Sequence, residues 1–182
     1  MGHKVGWLTL HAGLAGGADI ILLPEIPYDI NVVCDAITKR SKAGKRFSIL
    51  AVAEGAISRE EASMSKKELK AKKRTEMVYP SVAYEIGARI TEITGSEVRV
   101  TVPGHMQRGG EPCAYDRVLS TRLGATAAKM IADGEFGYMA AVKNNDIVKV
   151  PLSEVAGRLK TVDPNCSMIK EAKMVGICFG DE

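Results

Sequence analysis

Aromatic residues are scarce in this chain of 182 residues: three Phe, five Tyr and one Trp, 5% in all. A core with so few rings is aliphatic, and 18 glycines add many tight turns, a combination typical of α/β proteins. Long hydrophobic runs are absent as well. No segment approaches the ~20 apolar residues of a membrane helix, and the N-terminus lacks the basic-then-apolar pattern of a secretory signal. Charge of either sign is nearly balanced, at +3, too little to argue for nucleic acid or an anionic membrane. The four cysteines, Cys34, Cys113, Cys166 and Cys178, are widely spaced and form no Cys-x-x-Cys pair. A disulfide framework is not expected in a chain long enough to build its own core. Three dispersed histidines argue against a metal site. A reduced, cytoplasmic protein without nucleic-acid or membrane partners is the expectation.

Hydrophobic periodicity then orders the chain. Apolar positions from Val5 to Ala15 recur at helical spacing, and Gly16-Gly17 end that helix. Ile20 to Leu23 is an aliphatic run closed by Pro24, the pattern of a short buried strand. A helix from Ile30 to Lys42, capped near Gly44, and a buried strand from Phe47 to Ala53 follow. The order α-β-α-β predicts a mainly parallel sheet with crossover helices. Ser58 to Glu76 is polar and Lys-rich, and a loop or exposed helix with partial disorder is expected there. Its Lys66, Lys67, Lys70, Lys72, Lys73 and Arg74 read as a solvated face. Tyr79 to Thr94 returns to helical periodicity, and Gly95 ends it.

Glu97 to Val102 alternates strictly and predicts a strand leading into the segment Gly104-His105-Met106-Gln107-Arg108-Gly109-Gly110. A helix from Ala114 to about Ala132 carries an apolar stripe of Val118, Leu119, Leu123, Ala127 and Met130. Tyr138–Val142 and Ile147–Val150 flank Asn144-Asn145-Asp146 as a hairpin. Two short helices, from Pro151 to Leu159 and from Cys166 to Met174, complete the reading.

Chemistry concentrates in the segment 104–110. Glycines permit positive φ or close backbone approach, and Arg108 supplies a rigid fork for phosphate oxygens. The imidazole of His105 adds a second donor. Ligands of open α/β sheets bind beyond the carboxyl ends of strands, where this segment is expected to lie. Gly13-Leu14-Ala15-Gly16-Gly17 is not a dinucleotide loop, because its glycines end a helix rather than open one. His11 reads as a packed or surface histidine. Glu25, after Pro24, reads as a local N-cap partner without a catalytic role.

These residues carry a family resemblance. Gly104-His105-Met106-Gln107-Arg108-Gly109-Gly110, followed by Pro112, Asp116-Arg117 and Leu123-Gly124, resembles the Gly-His-x-Gln-Arg-Gly-Gly region of the phosphofructokinases. Met1-Gly2, Gly6-Trp7-Leu8, Ala15-Gly16-Gly17-Ala18 and Pro24-Glu25 resemble that family's Met-Gly-Arg helix and the strand after it. Ala53-Glu54-Gly55 resembles the strand end bearing a sugar-binding Glu. The resemblance runs from Met1 to about Val155.

It implies a phosphofructokinase-like C-terminal part that binds fructose 6-phosphate through Met1, Gly2, Glu54, His105 and Arg108. It also implies that Arg99 reaches the sugar phosphate of a neighbouring subunit, and hence a homo-oligomer. One departure stands out: His3 occupies the place of a family Arg that helps neutralise the transferring phosphoryl group. An imidazole there brings no fixed charge. His3 is therefore a candidate catalytic and substrate-binding residue.

The donor loop, the catalytic base and the groups that hold Mg2+ belong, by the same resemblance, to sequence before the Met-Gly-Arg segment. Metal ligands are not expected in this chain, and the donor, ATP or pyrophosphate, is left open. The implied organisation is a substrate domain over 1–110, a segment over 111–155 that packs on the donor domain, and a tail over 156–182 returning to the substrate domain. Apolar surface on the helix at 114–132 and on the hairpin would then be uncovered. The alternative reading is a non-catalytic sugar-phosphate-binding or regulatory module.

Overall fold

In the computed structural model, residues 1–75 and 79–182 are described. They form two compact units: residues 1–102 with 160–182, and residues 103–159.

The first unit is built around strand β1 (Ile20–Leu22). It pairs in parallel with β2 (Leu50–Val52), Ile20 opposite Leu50 and Leu22 opposite Val52. Its other edge is taken by a parallel bridge to Cys178, with Ile21 N–H donating to Cys178 O and Cys178 N–H to Asp19 O. Flanked on both sides and covered on both faces, Ile20, Ile21, Leu22 and Leu23 are completely buried, each stabilising the fold by about 1.5–3 kcal/mol.

Strand alternation divides the core in two. Ile21 and Leu23 pack with Leu10 of α1 (Trp7–Ala15), Ile169 and Ala172 of α8 (Ser167–Met174), Val162 and Phe179. Ile20 and Leu22 pack with Val33 and Cys34 of α2 (Ile30–Lys42) and Ile86 and Ile90 of α5 (Val82–Thr94). The α/β class with a parallel sheet and crossover helices is borne out.

Local chemistry sets the boundaries. The Asp29 side chain accepts from Asn31 N–H at 2.8 Å to start α2, and Lys39, Arg40 and Lys42 complement the dipole at its end. Arg40 also pairs with Asp19 at 2.7 Å, and Asp19 accepts from Ile49 N–H, which fixes how β2 lies beside β1. Gly95 closes α5 at φ +68°, a left-handed cap.

Several expectations need correction. The strand expected from Phe47 to Ala53 is shorter, and Phe47 is 71% exposed, because only Leu50–Val52 has β1 alongside. Of the loop or exposed helix expected from Ser58 onward, the helical alternative is the one found, as α3 (Arg59–Ser63) and α4 (Lys66–Thr75). The first is nucleated by a reciprocal pair in which Ser58 Oγ accepts from Glu61 N–H and Glu61 Oε2 from Ser58 N–H. Glu76, the end of that stretch, lies outside the described residues.

Glu97 to Val102 is no strand. Among the described residues no backbone hydrogen bond joins it to a neighbour; instead its apolar alternates, Val98 and Val100, lie against α5. Gly87 makes room for this, since a Cβ there would sit 3.0 Å from Val100 Cγ2.

The second unit contains a 3-10 turn (Gly104–Arg108) within the segment 104–110, α6 (Ala114–Ala132), the hairpin of β3 (Tyr138–Lys143) with β4 (Asp146–Pro151), and a short α7 (Leu152–Val155). Asn144 and Asn145 take φ +49° and +71°, the left-handed pair of a two-residue hairpin turn. Along α6 the stripe Leu119, Leu123, Ala127 and Met130 is the less exposed face. Val118, expected with it, is 60% exposed. Tyr115, Ile131 and Phe136 are also exposed. Among the described residues no helix is long and apolar enough to cross a membrane.

Candidate functional site

The end of β2 carries the better-built half of the site. Ala53 N–H donates to Leu22 O, which holds Glu54 just beyond the carboxyl end of the parallel pair. The first residues of the chain dock onto this point by two main-chain bonds of 3.0 Å, Glu54 N–H to Met1 O and Gly55 N–H to Gly2 O. A side-chain contact adds to the junction: Glu54 Oε2 lies 3.5 Å from His3 Nε2.

Two glycines make this approach possible. Gly2 sits at φ +87° against the Ala53 Cβ. A Cβ on Gly55 would lie 2.1 Å from His3 O, well inside contact distance. The Glu54 side chain keeps 46% of its surface exposed, and His3 keeps 78%. A carboxylate held this way has acceptor capacity left for hydroxyl donors, and the imidazole beside it offers a donor.

Four of the expected residues, Met1, Gly2, His3 and Glu54, are thus brought together. Arg99 belongs to the same unit, but its guanidinium is exposed and bonds Glu97 at 2.9 Å, not this cluster. In the second unit His105 and Arg108 share the single 3-10 turn between Gly104 (φ +57°) and Gly110 (φ +84°). A Cβ at either glycine would meet open space, so glycine serves the backbone angle there, not a close contact. Both side chains face solvent and carry no internal ion pair among the described residues.

Glu25 does more than its reading as a local cap suggested. Its Oε1 accepts from Gly6 N–H and from Val162 N–H, both at 2.9 Å, while Oε2 is sealed from solvent without a hydrogen-bond partner. The signal for the capping pair at Ser58 and Glu61 was present as Ser-x-x-Glu and was overlooked inside the polar stretch. Among the described residues no group of three or more His, Cys, Asp or Glu is arranged to hold a metal ion.

A short parallel sheet clad in helices on both faces, with a carboxylate and the Gly2 turn at the end of β2, defines an open α/β protein that presents ligand groups beyond its strands. Comparison with known proteins sharpens that class. The model of the family described as Phosphofructokinase matches residues 1–131, and the chain belongs to that family.

An ATP-dependent 6-phosphofructokinase of Spirochaeta thermophila is 52% identical over 181 residues, covering 100% of this chain and 49% of the relative. A pyrophosphate–fructose 6-phosphate 1-phosphotransferase of Streptomyces coelicolor is 43% identical over 180 residues, covering 99% and 51% respectively. The crystal structure of a pyrophosphate-dependent phosphofructokinase from Marinobacter aquaeolei matches with a TM-score of 0.72 over 98% of this chain and 46% of its own. At 20% identity that match is one of fold. The chain spans about half the length of the curated relatives it matches, and corresponds to their C-terminal portion.

Proposed function

We propose that this chain is the sugar-phosphate half of a 6-phosphofructokinase, which transfers a phosphoryl group from ATP or pyrophosphate to O1 of fructose 6-phosphate. The observation that carries the proposal is the junction of Met1-Gly2 with Glu54-Gly55. Two backbone bonds and two glycines hold an exposed carboxylate at a strand end, with an imidazole donor beside it.

In this reading Glu54 accepts from sugar hydroxyls, and the Met1-Gly2 turn walls the sugar. His105 and Arg108 hold the 6-phosphate, Arg108 as the charged fork. His3 stands near the transferring group, where a donor offsets developing negative charge. Arg99, exposed in the single chain, contributes to a neighbouring subunit's site in a homo-oligomer.

Mg2+ supplies charge neutralisation between donor and acceptor in phosphoryl transfer. Glu54 is the one carboxylate at this site and has His3 beside it, and among the described residues no group of three or more His, Cys, Asp or Glu could hold a metal, so these residues do not fit a metal-holding role. The donor loop, the base and the metal ligands are placed in the N-terminal portion that relatives carry. We assign a domain plan of 1–110 for substrate, 111–155 packing on the donor domain, and 156–182 returning. A reducing, cytoplasmic setting is in keeping with four free cysteines.

The test is fructose 6-phosphate binding and turnover in the full-length protein. Arg108→Ala is expected to weaken sugar-phosphate binding by roughly tenfold or more, and unchanged binding refutes the assignment. His3→Ala should lower turnover by roughly tenfold, more than it raises the KM for the sugar. Unchanged turnover removes His3 from the site. The 182 residues alone are expected to form no fructose 1,6-bisphosphate, and measurable product would overturn the division of labour.

A further inference from the structure

Helix α1 starts without local help. Its N-cap is Gly6, no side chain caps it, and no acidic residue stands in its first turn. An uncapped helix start leaves main-chain donors unsatisfied and a positive dipole end exposed. The missing group comes from 19 residues further on: Glu25 Oε1 accepts the Gly6 N–H at 2.9 Å. The same oxygen takes the Val162 N–H at 2.9 Å, from the segment that returns to this unit at residue 160. Gly6 is fitted to the carboxylate, since a Cβ there would lie 2.7 Å from Glu25 Oε2 and 2.8 Å from Leu23 Cδ2. The next residue repeats the tie, with Trp7 Nε1–H donating to Lys160 O at 2.8 Å.

Only Lys4 and Val5 separate Gly6 from His3, and Met1–His3 is the segment docked on Glu54. The position of that segment is therefore set at both ends. Glu54 and Gly55 hold the front; Glu25 holds the back, and links it to the C-terminal return. We infer that Glu25 is a positioning residue for the sugar site, its carboxylate fixing the start of α1 so that Met1, Gly2 and His3 face Glu54. This rests on the sugar-phosphate reading given above. A single acceptor serving two main-chain donors from distant segments leaves both donors unpaired when it is removed. The role needs an acceptor of the right reach. It does not need a catalytic proton.

The experiment compares Glu25→Ala, Glu25→Asp and Glu25→Gln in the full-length protein, reading the KM for fructose 6-phosphate, the KM for the phosphoryl donor, and the melting temperature. Glu25→Gln keeps a carbonyl oxygen at the same reach and is expected to stay within about twofold of the parent in sugar KM. Glu25→Ala, and Glu25→Asp with its arm one methylene shorter, should raise the sugar KM roughly tenfold while the donor KM holds. Glu25→Asp keeps the test decisive if Glu25→Ala does not fold. A fall in melting temperature with an unchanged sugar KM overturns the inference, and so does an equal rise in both KM values. Arg108→Ala is run alongside. If it leaves sugar binding intact the functional reading fails, whereas a loss there with an unmoved Glu25→Asp sinks the positioning role alone.

Discussion

Gly55→Ala puts the docking of the first residues on a single methyl group. The added Cβ would stand 2.1 Å from His3 O, 2.5 Å from His3 C and 2.8 Å from Gly2 O. Unbonded carbon and oxygen atoms settle at about 3.5 Å, so the turn has to retreat by roughly 1.4 Å. No flexible side-chain end is available to absorb this, because all three contacts are main chain. Retreat stretches both 3.0 Å bonds of the junction, Glu54 N–H to Met1 O and Gly55 N–H to Gly2 O. At about 0.5–1.5 kcal/mol each, their loss costs about 1–3 kcal/mol.

For a chain of this length that is roughly 2–12 °C in melting temperature, by thermal denaturation followed with circular dichroism. The functional effect is expected to be the larger one, since a displacement of about 1 Å in a positioning group can cost on the order of 100-fold in rate. Gly124→Ala is the control, lying within α6 where an added Cβ meets nothing within 4 Å. It should stabilise the chain by about 0.4–1 kcal/mol. If Gly55→Ala melts with the parent and turns over fructose 6-phosphate normally in the full-length protein, the argument that this glycine is sterically required is wrong.

Other expectations follow from single features. Burial, and after it the nearby Glu85 and Glu61 carboxylates, push the Tyr28 phenol well above its ordinary value of 10.0. Above that value the unfolded phenol releases its proton while the folded one keeps it. Stability therefore falls as pH rises past about 10, by about 1.4 kcal/mol per pH unit. Tyr28→Phe should flatten this alkaline slope in urea titrations, and an unchanged slope would assign it elsewhere. Ser58→Ala removes the cap of α3 and should cost about 1 kcal/mol by the same method. Asn145→Gly relieves an L-residue at φ +71° and should gain up to about 1 kcal/mol, with a loss counting against the turn assignment.

What the sequence could say depended on whether a feature is local. The bounds of α2 and α6 and the Asn-Asn turn were readable because periodicity and turn chemistry act within a few residues. The aliphatic run at Ile20 announced a strand buried on both faces for the same reason. At Glu97 to Val102, period-two alternation described a chain with one apolar face, and α5 with Gly87 satisfied that face without a ladder. Phe47 read as core because it is large and apolar, but burial needs a neighbour and no strand reaches it.

The site divides in the same way. Glu54, Met1 and Gly2 were named from a resemblance, and their bonds run across more than fifty residues of sequence, which no spacing rule reveals. Glu25 was legible as a cap, yet its partners at Gly6 and Val162 are set by the tertiary fold. The requirement at Gly55 is invisible in sequence, since it comes from a carbonyl contributed by residue 3.

The bridge from Ile20 to Cys178 bears on the order in which the molecule forms. Residues 103–159 close mainly through near neighbours, a helix and a two-residue hairpin, so their local contacts can form quickly. The first unit cannot, because one edge of its central strand waits for residues almost 160 positions later. During synthesis β1 leaves the ribosome long before Cys178 does, with its edge and an aliphatic face open. Refolding is therefore expected to proceed in two phases, the hairpin unit early and the sheet last. Trp7, bonded to Lys160 near the return point, is placed to report the second phase by fluorescence.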